Sequence, residues 1–516
     1  MAIKRYAANA DTTITNAFKT NLTDRGTGSN MGLSDTLEVF SLYGQSSGSE
    51  GYTQELSRVL LKFPTDIMSS DRSEGSLPNS GSVSFFLKLY NAEHGYTLPR
   101  NAIYNIVRVV TDWEEGHGLD METYLDEVKG GTGSTWIDAK KGVQWTTIGG
   151  DYLDTPDNYY KKELYRGDED LEIEITGMVE GWLSDGNANY GLGVHLTSSQ
   201  ESYYSSSTGL NTNVLIHNPD GSQTSYYTKK FFARDSEFFF KRPVIEARWD
   251  SSRHDDRGQT YFSSSLMSGE DNLNTLYLYN YVRGRLKNIP NLTNGVIWLS
   301  LYSGSVSGSD VYVPTGSKIQ LPVGGGVVTN LDVDVTGGIV ATGIYTASFA
   351  LTSSVPKLEK VFDVWHYGGN ELFSASFSPK TLPSYQTSPN VEWVSSVTNL
   401  KDKYTRSETA RIRLFTRVKG WQPNIWTKAS VEPELTVVNS ASYEIFRATD
   451  LEKVIPFGTG SNLHTLMSYD ASGSYFDLDM SLLEGDTAYG IRFAFYDEER
   501  NTWDVQKTEY KFRVIE

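Results

Sequence analysis

The amino-acid sequence predicts an all-β fold, with an N-terminal jelly-roll β-sandwich followed by two immunoglobulin-like β-sandwiches. Apolar and polar side chains alternate over short stretches, as at residues 83–89, 171–175 and 491–495. Because successive side chains of a strand point to opposite faces, each stretch places one apolar row against a core. Stretches rich in glycine and serine, such as residues 46–51 and 130–134, separate the strands. Short strands divided by turns are typical of β-sandwiches.

Helical periodicity is sparse in this sequence. The strongest signal is Thr176–Leu183, where Thr176 is predicted to cap the helix and Met178, Val179 and Trp182 form an apolar face. A weaker signal covers residues 121–128. Neither segment is long enough to build a helical core.

Two segments mark domain boundaries. Residues 250–258 form a polar run, and residues 378–390 contain three prolines among serine, threonine and tyrosine. Proline cannot donate to strand pairing and stiffens a connection. A chain of 516 residues is long enough for three domains. We therefore predict domains at residues 1–250, 251–383 and 384–516.

The second predicted domain carries a hairpin signal. Residues 363–369 have the pattern of a strand end, with Trp365 as an aromatic plug and two glycines at the turn. Residues 371–378 have the pattern of the returning strand. Residues 274–281, rich in tyrosine and leucine, precede this hairpin.

Composition and charge exclude several classes of function. The chain has 64 acidic and 46 basic residues, a formal net charge of -18, which argues against nucleic acid as the partner because phosphate binding requires clustered lysine and arginine. It has no cysteine, which excludes disulfides and thiolate metal sites. The start lacks the apolar region of a secretory signal, and no segment approaches the roughly 18 apolar residues of a membrane span. We expect a protein without an export address or a membrane span.

Tryptophans of the first domain are candidate functional residues. Trp113, Trp136, Trp145 and Trp182 are large apolar bodies with one hydrogen-bond donor each, and we expect them to plug the ends of a sandwich. The alternative is that exposed indole faces form a platform on which a glycan stacks. Arg58 lies between apolar neighbours on a predicted strand, so we expect a structural role in which it pairs with a carboxylate or with backbone carbonyls.

Metal and catalytic motifs are weak. Asp185, Asn187 and Asn189 begin like a calcium loop, but the glycine position of an EF-hand holds Tyr190 and the glutamate position holds Leu196. Loosely bound calcium is therefore the only cofactor left open. The seven histidines form no zinc-like pair at short spacing, and a Gly-x-Ser-x-Gly string at residues 44–48 opens a polar turn. We predict no catalytic residues, although paired carboxylates of a glycan-cleaving enzyme are not excluded by one sequence.

Landmarks across the first 250 residues resemble the DNRLRE family, which is related to a carbohydrate-binding-module family of secreted bacterial and archaeal proteins. They are, in the family's order, residues 10–14, 30–32, 57–63, 86–90, 111–116, 173–182, 189–194, 231–235 and 238–249. The resemblance implies a jelly-roll sandwich. It also implies that Arg58 lies on the family's arginine-bearing strand, Trp113 in its tryptophan loop, and Trp136 and Trp145 in the next loop.

The opening residues 1–6, together with residues 21–32 and 36–43, are similar to virion proteins of large marine myovirus-type bacteriophages. The two later domains resemble the immunoglobulin-like modules of phage tail and neck proteins. These resemblances imply a non-enzymatic virion structural protein of a tailed phage, made in the host cytoplasm and released by lysis. We expect a neck or tail component that docks onto other virion proteins as a homo-oligomer or symmetric ring. The alternatives are an adsorption protein that binds a host-surface glycan and a capsid decoration protein.

Overall fold

The computed structural model describes residues 2–48, 51–126, 132–184, 186–206, 208–212, 214–265, 267–304, 322–323, 326–327, 334–351, 358, 360–380, 391–420, 435–498 and 500–516. The chain divides into two compact units, Ala2–Asp250 and Ser251–Glu516. The predicted all-β class is confirmed, because strands grouped in several sheets dominate the described residues and only two α-helices occur among them.

The N-terminal unit, Ala2–Asp250, contains two sheets. Its elements are β1 Ile3–Ala7, β2 Ala10–Thr15, β3 Thr36–Gly48, β4 Gly51–Lys62, α1 Thr65–Ser73, β5 Ser84–Leu89, β6 Ala102–Val109, β7 Asp138–Lys140, β8 Val143–Gln144, β9 Tyr152–Leu153, β10 Tyr159–Leu164, β11 Leu171–Glu174, α2 Thr176–Leu183, β12 Leu192–Leu196, β13 Tyr226–Phe232 and β14 Val244–Arg248. One sheet has the order β1-β14-β5-β11. The larger sheet has the order β10-β6-β12-β4-β3-β13, with β2 also paired to β4 and β9 to β6.

Strand β4 shows why this unit has two cores. Val59 and Leu61 face the main core between the two sheets, while Leu56 and Leu60 point to the opposite face of the larger sheet. That outer face is also covered, because side chains from the segment between β6 and β9 pack against it as a second core. β4 is therefore buried on both faces, which a simple polar and apolar alternation does not reveal.

The two helices of this unit agree only in part with the sequence. Helix α2 forms at the predicted Thr176–Leu183, but the prediction that Thr176 caps it is wrong. Ile175 is the N-terminal cap residue, and the Thr176 hydroxyl accepts a hydrogen bond from the Phe85 amide at 2.9 Å. The sequence did not indicate α1, which buries only Met68 and so has little apolar periodicity.

The weaker helix prediction, residues 121–128, is also wrong over the described residues 121–126, which contain bends and irregular backbone. The Asp120 carboxylate accepts hydrogen bonds from the amides of Glu122, Thr123 and Leu125. A side chain that satisfies the backbone in this way competes with the helical hydrogen bonds. Residues 127 and 128 lie outside the described residues.

The first part of the C-terminal unit is a curled sheet. Its strands are β15 Leu273–Tyr279, β16 Tyr281–Val282, β17 Arg285–Leu286, β18 Ile297–Gly304, β19 Pro322–Val323, β20 Gly326–Val327, β21 Val335–Ala341, β22 Ile344–Ala350, β23 Lys360–Tyr367 and β24 Asn370–Phe377. The main sheet has the order β15-β22-β21-β18-β23-β24. Phe349 on β22 and Phe377 on β24 lie with ring centroids 6.1 Å apart although three strands separate them in that order, so the sheet folds over as a sandwich. The predicted hairpin is β23 and β24, and Trp365 is fully buried in its core.

The second part of the C-terminal unit is a two-sheet sandwich. Its strands are β25 Trp393–Val397, β26 Lys403–Thr405, β27 Thr409–Val418, β28 Ala441–Arg447, β29 Lys453–Ile455, β30 Ser468–Asp470, β31 Gly473–Asp479, β32 Ala488–Asp497, β33 Thr502–Val505 and β34 Tyr510–Ile515. One sheet has the order β25-β27-β31-β30 and the other β26-β34-β32-β28-β29, with β33 paired to β32. Tyr443 and Phe476 stack at 3.9 Å between the two sheets. The predicted boundary at residues 383 and 384 lies outside the described residues.

Candidate functional site

The three candidate tryptophans lie in the second core of the N-terminal unit. Trp113, Trp136 and Trp145 are exposed by only 2%, 0% and 4%. Each indole N–H donates to a backbone carbonyl, and the acceptors are Tyr190, Val214 and Thr135, at 2.8, 3.1 and 2.9 Å in that order. The alternative that these indoles contact a glycan or a partner is wrong, because their rings lie inside the fold. The expectation that they plug the ends of a sandwich is corrected in place, since they cover the outer face of the larger sheet.

The same covered face holds a buried ion pair. Arg58 on β4 donates from Nε and Nη2 to the two carboxylate oxygens of Glu201 at 2.9 and 2.8 Å, and from Nη1 to the Gly149 carbonyl at 3.0 Å. Burial is the largest single influence on the pKa of Arg58 and would lower it, but Glu201 and Tyr152 together outweigh burial and hold that pKa above its usual value. Of the two kinds of partner expected for Arg58, the structure shows both, the Glu201 carboxylate and a backbone carbonyl.

His195 on β12 borders this ion pair. Burial lowers the pKa of His195 to about 4, and the charge of Arg58 acts in the same direction. The His195 ring lies 5.1 Å from the ring of Tyr152. The imidazole is therefore neutral near pH 7, and the cluster has the character of a packed interior.

Trp182, Tyr190 and Gly191 have structural roles in this unit. Trp182 on α2 packs in the main core, and Tyr190 packs against the second core. Gly191 has φ +81°, and a Cβ there would lie 2.0 Å from the Leu61 carbonyl oxygen, so close backbone approach explains this glycine.

The described residues of the predicted calcium loop are not arranged to bind calcium. Asp185 lies outside the described residues. The Asn189 side chain already bonds the Phe63 carbonyl at 2.8 Å and the Gly191 amide at 2.9 Å. Among the described residues, no cluster of three or more histidine or carboxylate groups is arranged to hold a metal ion.

A serine, a histidine and an aspartate that are far apart in the sequence meet in the C-terminal unit. The Ser300 hydroxyl lies 2.5 Å from Asp334 Oδ1 and 2.7 Å from His366 Nε2. In a nucleophilic triad the carboxylate orients the histidine through its other ring nitrogen. Here Asp334 Oδ1 lies 3.5 Å from the same Nε2, and Ser300 is almost completely buried. This geometry joins neighbouring strands and does not activate a nucleophile.

Two phenylalanines project from the N-terminal unit, and we call Phe238 and Phe239 the phenylalanine knob. They are exposed by 49% and 59%. Phe238 packs edge-on against Phe232 at 5.3 Å, and the Lys241 ammonium lies 5.2 Å from the Phe232 ring. The segment that carries the knob joins β13 of one sheet to β14 of the other, so both of its ends are anchored.

Three tyrosines form a second exposed aromatic feature, which we call the tyrosine strip: Tyr277, Tyr279 and Tyr281. Neighbouring rings lie nearly parallel, with centroids 6.3 and 6.5 Å apart and interplanar angles of 28° and 18°. Exposure increases along the strip, from half-buried Tyr277 and Tyr279 to Tyr281 at 56%. The alternation of leucine with tyrosine in residues 276–279 could have indicated that Tyr277 and Tyr279 share a face, because every second side chain of β15 lies on one face.

Polar side chains of the C-terminal sandwich flank the tyrosine strip. The Tyr279 and Tyr475 hydroxyls are 3.5 Å apart, and the Arg411 guanidinium lies 4.3 Å from the Tyr475 ring. Arg411 pairs with both oxygens of Asp477, and Arg413 on the same face pairs with Asp470. The strip therefore meets a row of matched positive and negative groups.

Comparisons with known proteins identify no family. No protein-family model and no curated protein matches the chain. Matching solved structures include the N-terminal Ig1-2 module of the Drosophila receptor protein tyrosine phosphatase DLAR, at 7% identity over 47% of this chain and 90% of that chain, with a TM-score of 0.14. Trypsin-activated alpha-2-macroglobulin from Escherichia coli matches at 8% identity over 89% of this chain and 24% of that chain, with a TM-score of 0.15. At such TM-scores the likeness supports no statement about function.

None of the described helices has the length and apolar character needed to cross a membrane.

Proposed function

We propose that this chain is a virion structural protein of a tailed bacteriophage that docks onto other virion proteins in several copies, at the neck or tail. The resemblances of its opening residues and its later domains to phage proteins support the proposal. The structural observation that carries it is the phenylalanine knob, an exposed aromatic pair on a rigid sandwich.

An exposed phenylalanine pair favours a protein interface on energetic grounds. Burying one phenylalanine side chain contributes about 1.5–3 kcal/mol. Phenylalanine and arginine are enriched at interface cores, where a few anchors supply most of the binding energy. Arg242 lies 5.4 Å from the Phe239 ring and donates two hydrogen bonds to the Ser236 carbonyl, so the anchor is held in place before a partner arrives.

Fixed stoichiometry in purified particles tests the proposal. We expect quantitative mass spectrometry to find the chain at a constant copy number per particle. A phage that carries Phe238→Ser with Phe239→Ser should assemble particles depleted of the chain, whereas Tyr227→Ser, at 49% exposure, serves as the matched control. Absence of the chain from washed particles would contradict the proposed function.

A further inference from the structure

The tyrosine strip has the geometry of a ligand platform. Its rings follow one another from β15, which carries Tyr277 and Tyr279, to Tyr281 at the start of β16, at 6.3 and 6.5 Å and within 28° of parallel. Tyr475 of the second sandwich, whose hydroxyl lies 3.5 Å from that of Tyr279, is 3% exposed, whereas Tyr281 is 56% exposed. Contact with the second sandwich therefore covers the strip at Tyr279, and Tyr281 presents an aromatic ring to solvent.

The polar groups beside the strip match hydroxyl groups. Arg411 uses Nε and Nη2 on Asp477, which leaves Nη1 as a further donor. Arg413 uses Nη1 and Nη2 on Asp470, which leaves Nε. The Asp477 oxygens and Asp470 Oδ2 keep further lone pairs, whereas Asp470 Oδ1 also accepts from the Ser472 amide at 2.7 Å. The two ion pairs therefore offer both donors and acceptors, and a sugar hydroxyl can both donate and accept.

The charge balance distinguishes between stacking ligands. Single-stranded nucleic acid also stacks on aromatic rings, but it requires a positive groove for its phosphates. Here Asp477 and Asp470 neutralise both guanidinium groups, and the chain carries a net charge of -18. An uncharged ligand with apolar C–H faces and many hydroxyls fits this surface better than a polyanion.

We propose that the tyrosine strip, with Arg411, Asp477, Arg413 and Asp470, is a binding site for a neutral glycan chain. The sugar faces stack on the open rings, and the hydroxyls bond the two ion pairs. This site is separate from the phenylalanine knob and goes beyond the docking role, so either proposal stands if the other fails.

A glycan array printed with neutral oligosaccharides tests the site, with sialylated and sulfated glycans on the same slide as the charge control. We expect the full chain to bind at least one neutral glycan. Tyr281→Ala should weaken that binding by about tenfold or more, because it removes the most exposed ring. Tyr281→Phe should retain most of the affinity, since stacking needs the ring and not the hydroxyl. Tyr227→Ala, which changes an exposed tyrosine of the N-terminal unit, is the matched control.

Three results would overturn the proposal of a glycan site. Binding to no glycan, or only to acidic glycans, would show that the strip does not recognise neutral sugars. Equal affinity of Tyr281→Ala and wild type, with unchanged circular dichroism, would place the site elsewhere. A protein that competes for the strip while glycans do not would make it a protein interface.

Discussion

Replacing Glu201 by glutamine tests whether the Arg58 ion pair supports the covered face of the larger sheet. The two side chains are exposed by 8% and 7%, and the contact is bidentate at 2.9 and 2.8 Å. Glutamine keeps the volume but removes the negative charge, and its single carbonyl oxygen accepts from one N–H of Arg58 instead of two. The guanidinium then remains in a dry interior without a counterion.

The expected loss follows from burial. Removing one partner of a buried ion pair costs about 3–5 kcal/mol, because the other charge stays desolvated. The hydrogen bonds that remain, including that from Arg58 to the Gly149 carbonyl, place Glu201→Gln near the lower end, at about 3 kcal/mol. The matched control is Glu392→Gln, which breaks an ion pair with Lys419 whose side chains are exposed by 67% and 64%. That change should cost less than about 1 kcal/mol, since solvent screens exposed pairs.

Urea unfolding of the full chain, followed by tryptophan fluorescence, measures both variants. The Glu201 variant should lower the midpoint of the transition that exposes Trp136, whose ring lies 5.5 Å from the Arg58 guanidinium. Equal midpoint shifts for the two variants would refute the reasoning. A double variant, Arg58→Met with Glu201→Leu, should recover much of the loss, because no unpaired charge remains.

Three further predictions concern the same unit. Burial lowers the pKa of His195 to about 4, so the free energy of unfolding should fall as pH drops from about 6.5 toward 4, because only the unfolded chain takes up a proton in that range. In urea titrations, His195→Gln should reduce this fall by up to about 3 kcal/mol. An unchanged pH profile would contradict this prediction. Gly191→Ala should cost clearly more than Gly75→Ala, which has a similar φ of +77° but open space around it and should lose only about 1 kcal/mol; similar thermal midpoints would rule out the collision with Leu61. Trp136→Ala should destabilise by about 3–5 kcal/mol in denaturant unfolding, whereas an exposed platform residue would be nearly neutral.

Local patterns explain most of the agreement between the predicted and observed elements. Helix α2 and the hairpin of β23 and β24 depend on neighbours a few residues apart, so periodicity and turn residues predict them. Helix α1 escaped prediction because it buries a single side chain. Thr176 was assigned as a cap because its residue type favours that role, but the Phe85 amide of a different strand binds its hydroxyl.

The residues of the candidate site, in contrast, could not be predicted from local sequence patterns. The tryptophans of the segment between β6 and β9 look alike in sequence whether they face solvent or a core, and only the fold places them against the outer face of the larger sheet. The tyrosine strip acquires its polar groups from strands at least 130 residues further along the chain, because β31 approaches β15 in space. Sequence periodicity cannot predict a contact between segments so far apart in the chain.

By itself, the sequence determined the all-β class and the faces of most strands, because the alternation of side chains and the placement of turns are local properties of the chain. Tertiary structure alone decided that Trp113, Trp136 and Trp145 are interior, that Arg58 meets Glu201, and that Phe238, Phe239 and Tyr281 are exposed. The physical reason is that burial and charge pairing depend on which distant segments pack together, and that packing is a property of the whole fold.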